Sequence, residues 1–170
     1  MKSQRVTLGV NQILTYIEHF TNAFIISCVD RYDIVGKRIF EVGNKYYFEN
    51  LGIRNVIAGF KLQDQGKVLE NIVYNHLIHC GYEVKIGTLG TEEIDFVCQR
   101  NGEILYVQVA LELSKQETIE REFGNLLKIK DNYPKVVVSG ERSFENSYEG
   151  VEHVYFKDFL SSTLSHSILK

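Results

Sequence analysis

Residues Glu93 to Leu111 read EIDFVCQRNGEILYVQVAL: a run alternating polar and apolar residues, an Asn-Gly dipeptide, and a second run of the same kind. Asn101-Gly102 is the strongest two-residue hairpin signal, because a tight turn of the matching twist needs positive φ at both central positions. Arg100 then pairs with Glu103, and counting back along both strands sets Asp95 opposite Gln108. Under strict alternation Glu93, Asp95, Gln108 and Ala110 share one face, and Ile94, Phe96, Val107 and Val109 the other. Opposed residues have Cβ atoms about 4.5–5.5 Å apart, near enough for two side chains to share one cation.

Outward from this hairpin, Lys67 to Cys80 predicts a helix with Leu69, Ile72, Val73 and Leu77 on one side and Gly81 at its left-handed C-terminal cap. Strands are expected near 82–89, 93–100 and 103–111. Ser114-Lys115-Gln116-Glu117 has capping-box spacing and opens a helix whose Ile119, Phe123, Leu126 and Leu127 face inward, ending before Pro134. KVVVSG (135–140) reads as a strand buried on both faces, HVYF (153–156) as a short strand, and KDFLSSTLSHSIL (157–169) as a terminal helix. Helix, three strands, helix, strand describes an α/β core, a mixed β-sheet flanked by helices. Upstream, Val10, Ile13, Leu14, Ile17 and Phe20 predict an amphipathic helix over 10–20, and AFIISCVDRYD with RIFEVGNKYYF around Gly36-Lys37 a hairpin. The turn-rich LGIRNVIAGFKLQDQG (51–66) marks the expected boundary, dividing the chain into 1–60, a partial winged-helix-like segment, and 61–170.

With 170 residues and 44% apolar content the chain has enough material for one full core. The formal charge of −3 gives no broad positive field of the kind that sequence-independent DNA binders use. Cys28, Cys80 and Cys98 are odd in number and have no C-x-x-C spacing, which argues against a disulfide framework or a zinc knuckle. With no apolar run of membrane-spanning length and no signal-type h-region, the expectation is a soluble cytoplasmic protein.

KYYFENLGIRN, GKVLENIVYNHLIHCGYEV, EIDFVCQRNGEILYVQVA and EREFGNLLKIKDNYPKVVVS together resemble the C-terminal domain of a large group of bacterial and archaeal AAA-type ATPases. That domain of unknown function looks like the PD-(D/E)XK restriction-endonuclease-like fold, and YIEHFTNAFIISCVDRYDIVGKRIF resembles the winged-helix-like segment before it. The phosphate-cradling G-x-x-x-x-G-K-[ST] is absent from these 170 residues.

By position, the resemblance implies a helix acid at Glu70, a strand acid at Asp95, the second acid position at Gln108 and the lysine position at Ala110. The last two depart from a cutting site. Glu70 and Asp95 would be the metal ligands, Mg²⁺ being the cation such oxygens take, with the Val109 carbonyl as a further oxygen. Gln108 offers only an amide and Ala110 no charge, so a lysine would have to come from elsewhere, with Lys85, Lys128 and Lys130 as candidates. Gln108 hydrogen-bonded to Asp95, with no metal at all, is the equally simple reading. His76, His79 and Cys80 share one helix, but His76 falls on its apolar side and reads as a core histidine. Glu117 and Arg121 are spaced for a local ion pair, and the scattered tyrosines form no base-stacking platform. Three functions follow: an inactive nuclease-like module that binds nucleic acid or protein beside an AAA-type ATPase partner, a weak Mg²⁺-dependent nuclease, or a docking or dimerisation unit.

Overall fold

The computed structural model describes residues 8–142 and 146–161. Helix α1 (Val10–Asn22) leads into the hairpin β1 (Ile26–Asp33) and β2 (Arg38–Phe48). Next come α2 (Leu51–Ala58), a 3-10 turn (Leu62–Asp64) and α3 (Gln65–His79). The strands β3 (Glu83–Leu89), β4 (Glu92–Arg100) and β5 (Glu103–Ala110) follow, then α4 (Gln116–Leu127), β6 (Lys135–Ser139), β7 (Ser147–Tyr148), β8 (Val151–Tyr155) and α5 (Phe156–Ser161). The expected strands and helices of 65–139 are therefore present, and the expected terminal helix is described as far as Ser161. No described helix is long and apolar enough to cross a membrane.

All eight strands form one mixed sheet in the order β2-β1-β3-β4-β5-β6-β8-β7. β1 runs parallel to β3, while β5, β6 and β8 are mutually parallel neighbours. The sheet has a core on each face. On one, Val73, Tyr74 and Leu77 of α3 and Phe159 of α5 cover Ile86, Phe96 and Val107. On the other, Phe123 and Leu126 of α4 cover Ile94, Tyr106 and Val137.

Three expectations need correction. The sheet runs across the expected boundary at residue 60: β1 pairs with β3, and Tyr47 of β2 stacks on Tyr74 with ring centroids 4.4 Å apart, so the hairpin is the edge of the main sheet. The boundary stretch holds a helix of its own, because the Asn50 side chain accepts from the N–H groups of Gly52 and Ile53 and so caps α2. Eight residues are too few to show a periodicity. The capping box at Ser114 is not formed either: α4 starts from Lys115, whose carbonyl accepts from Thr118 and Ile119, leaving Ser114 one residue too early to cap it.

The hairpin turn is as expected, with Asn101 and Gly102 at φ 53° and 84° and Arg100 paired with Glu103. The neighbouring β3–β4 ladder holds an irregularity that local sequence does not announce. Lys85 faces Val97 but Gly87 faces Ile94, so Asp95 and Phe96 together oppose the single residue Ile86. This two-for-one bulge draws β3 close to β4. A Cβ on Gly87 would lie 2.9 Å from both Ile94 Cβ and Val97 Cγ2. Gly87→Ala should therefore lower unfolding free energy by about 1–3 kcal/mol, read as a lower urea midpoint with unchanged slope.

Candidate functional site

The bulge decides where each acid points. Ile94 packs with the α4-side core and Phe96 with the α3-side core, although strict alternation would put both on one face. Asp95 lies on the α3 side, near Glu70 and Lys45. On β5, Val107 packs toward α3, whereas Ala110 packs in the α4-side core and Gln108 reaches Glu122 of α4. The expected single face of Glu93, Asp95, Gln108 and Ala110 is thus split, because the extra residue in β4 shifts its alternation and β5 has no matching one.

Asp95 and Gln108 still meet, at the point where the β4–β5 pairing ends beyond Phe96 and Val107. The Asp95 N–H donates to Gln108 Oε1 at 3.2 Å, and the Val109 N–H donates to Asp95 Oδ2 at 2.8 Å. A backbone N–H can only donate, which fixes the amide orientation: oxygen toward Asp95, nitrogen toward Glu122. Gln108 Nε2 donates to Glu122 Oε2 at 2.8 Å, and both residues are buried. The other Glu122 oxygen accepts from Arg121 Nε at 3.0 Å, so Arg121 pairs with Glu122 rather than with Glu117.

On the α3 side a lysine is present, and it is none of those expected. Lys45, on β2, places Nζ 3.0 Å from Glu70 Oε1, 2.5 Å from Glu93 Oε1 and 3.9 Å from Asp95 Oδ1. Tyr47 donates its hydroxyl to the same Glu70 oxygen at 2.6 Å, and Arg31 holds Glu93 from the other side at 2.5 Å. Lys85 instead pairs with Glu83 and Lys128 with Glu92, while Lys130 is exposed. His76 packs edge-on against Phe159 with its Nε2 3.5 Å from Cys80 Sγ.

Burial alone would depress the Lys45 ammonium, but the Glu70, Glu93 and Asp95 carboxylates outweigh it and hold its pKa above the ordinary value. Burial likewise opposes ionisation of Glu93, yet hydrogen bonds from Lys45 and Arg31 keep it below the usual carboxylate range. Asp95 is pushed up to about 8, first by burial and then by the Glu70 charge, against the opposing pull of the Val109 N–H and Lys45. With Asp95 protonated, Glu70 and Glu93 are balanced by Lys45 and Arg31.

A divalent ion fits this donor set poorly. An ammonium already lies among the carboxylates that would ligate it, and the Gln108 oxygen is committed to the Asp95 N–H. Among the described residues, no three His, Cys, Asp or Glu side chains are grouped to hold a metal.

No family model and no solved structure matches the chain. It is similar to an uncharacterized protein of Haemophilus influenzae, with 37% identity over 160 residues, covering 94% of this chain and 39% of that protein. The chain thus spans well under half the length of that relative.

Two measurements probe the site. Gln108→Glu removes the donor to Glu122 and sets two buried carboxylates together, so it should cost about 1–3 kcal/mol or more in urea unfolding, although it restores the acid of a cutting motif. The raised Asp95 pKa means that the folded state keeps a proton the unfolded chain releases near pH 4. Stability from this group is complete below that pH and is lost as pH rises to about 8. Relative to Asp95→Asn, the wild type should lose stability across that window by up to about 1.4 kcal/mol per pH unit.

Proposed function

We propose that this chain is a nuclease-like module, related to the C-terminal domain of AAA-type ATPases, that acts by binding rather than by cutting. The Lys45 ammonium carries this reading, because it takes up the space and the charge compensation that a catalytic cation would supply between Glu70 and Asp95. Gln108 supports it, since both ends of its amide are spent on holding β4 and α4 together. The eight-stranded mixed sheet is compatible with a restriction-endonuclease-like core, and the greater length of the Haemophilus relative suits a module that works beside further polypeptide.

Lys45 also gives the second reading its best support. It lies where a relocated lysine could serve a weak Mg²⁺-dependent nuclease, with Glu70 and Asp95 as ligands. The two readings make opposite forecasts for Lys45→Met. In a binding module the wild type takes up no Mn²⁺ in calorimetry and leaves supercoiled plasmid intact. The variant, stripped of its internal cation, gains Mn²⁺ affinity that Asp95→Asn removes again. Plasmid cleavage by the wild type in Mg²⁺, abolished by Lys45→Met in a protein whose circular dichroism is unchanged, would overturn the binding reading in favour of the nuclease.

A further inference from the structure

Fifteen of the seventeen exposed large apolar side chains among the described residues fall within residues 8–62. The excess gathers on two helices with no buried residue, α1 and α2. α1 carries the apolar stripe expected from its sequence, but the stripe is uncovered: Val10 is 73% exposed and Leu14 55%. On α2 and the segment after it, Val56 is 87% exposed, with Ile57 and Phe60 also open. Both helices leave the same end of the β1–β2 hairpin, where Ile26 pairs with Phe48 and the Glu49 N–H donates to the Ile25 carbonyl. An amphipathic helix of this kind gains most of its stability from packing its apolar face, and exposed apolar faces of this kind mark contact sites.

The charge pattern narrows what covers it. α1 has no lysine or arginine, and α2 has only Arg54, which is held by Asp64 at 2.8 Å. A lipid surface or a nucleic acid would call for cations along these helices. A polypeptide with its own apolar face needs none. The Haemophilus relative has further polypeptide to offer, since only 39% of its length is matched here.

We propose that the apolar faces of α1 and α2 are the seat of a polypeptide segment equivalent to the part of the relative outside the match. This docking is independent of whether the nuclease-like site cuts. Hydrogen exchange on the full-length relative and on this chain tests it. The segments aligned with α1 and α2 should exchange about tenfold or more slowly in the relative, while those aligned with β3–β5 exchange alike in both. Equal exchange of the α1 and α2 segments in the two proteins would overturn the proposal. Sedimentation of this chain covers the other occupants. It should remain monomeric and stay off vesicles of mixed neutral and anionic lipid. A dimer dissociated by Leu14→Glu or Val56→Glu would assign the face to a second copy, and vesicle binding abolished by the same substitutions would assign it to lipid.

Discussion

At Ile86 the sheet sets two residues of β4, Asp95 and Phe96, against one of β3. Phe96, paired with Val107, keeps to the α3-side core, and the unequal count brings Asp95 to the same side and turns Ile94 into the other core. It also leaves β5 with an undisturbed alternation, so Gln108 and Ala110 point toward α4. The close approach of β3 at Gly87, the end of the β4–β5 pairing and the separation of Asp95 from Gln108 and Ala110 onto opposite faces all follow from this one extra residue.

The division has an electrostatic consequence. Acids crowded on one face of a buried site need a cation, and here the protein supplies its own. Lys45 and Arg31, both from the edge hairpin, neutralise Glu70 and Glu93, and Asp95 holds a proton more tightly because it is buried beside Glu70. On the opposite face a single neutral amide satisfies Glu122 and the Asp95 backbone together. A carboxylate at 108 could still accept from the Asp95 N–H but would leave Glu122 without its donor, so the glutamine suits the structure it sits in and is more than a lost acid.

Several features were plain in the residues. Asn101-Gly102 gave the correct turn and pairing, the apolar run 135–139 its buried strand, and Gly81 the left-handed end of α3. Glu122 was also detectable: Ile119, Phe123 and Leu126 define the apolar stripe of α4, and Glu122 falls within it, which marks a buried carboxylate in search of a partner. Lys45 gave no comparable sign. It alternates with Tyr47 along β2, but its role depends on β1 joining β3, and parallel neighbours separated by about fifty residues leave no local pattern.

Periodicity and turn chemistry thus established the helices and strands of 65–139, though not α2, and how the central hairpin is registered, because those depend on steric and hydrogen-bonding preferences within a few residues. The direction in which Asp95 points, the identity of the cation beside it and the uncovered faces of α1 and α2 belong to the assembled sheet. A bulge is defined by the partner strand, and an ion pair by charges brought together across the fold. Burial, in turn, depends on what packs against a helix, and neighbouring residues do not encode it.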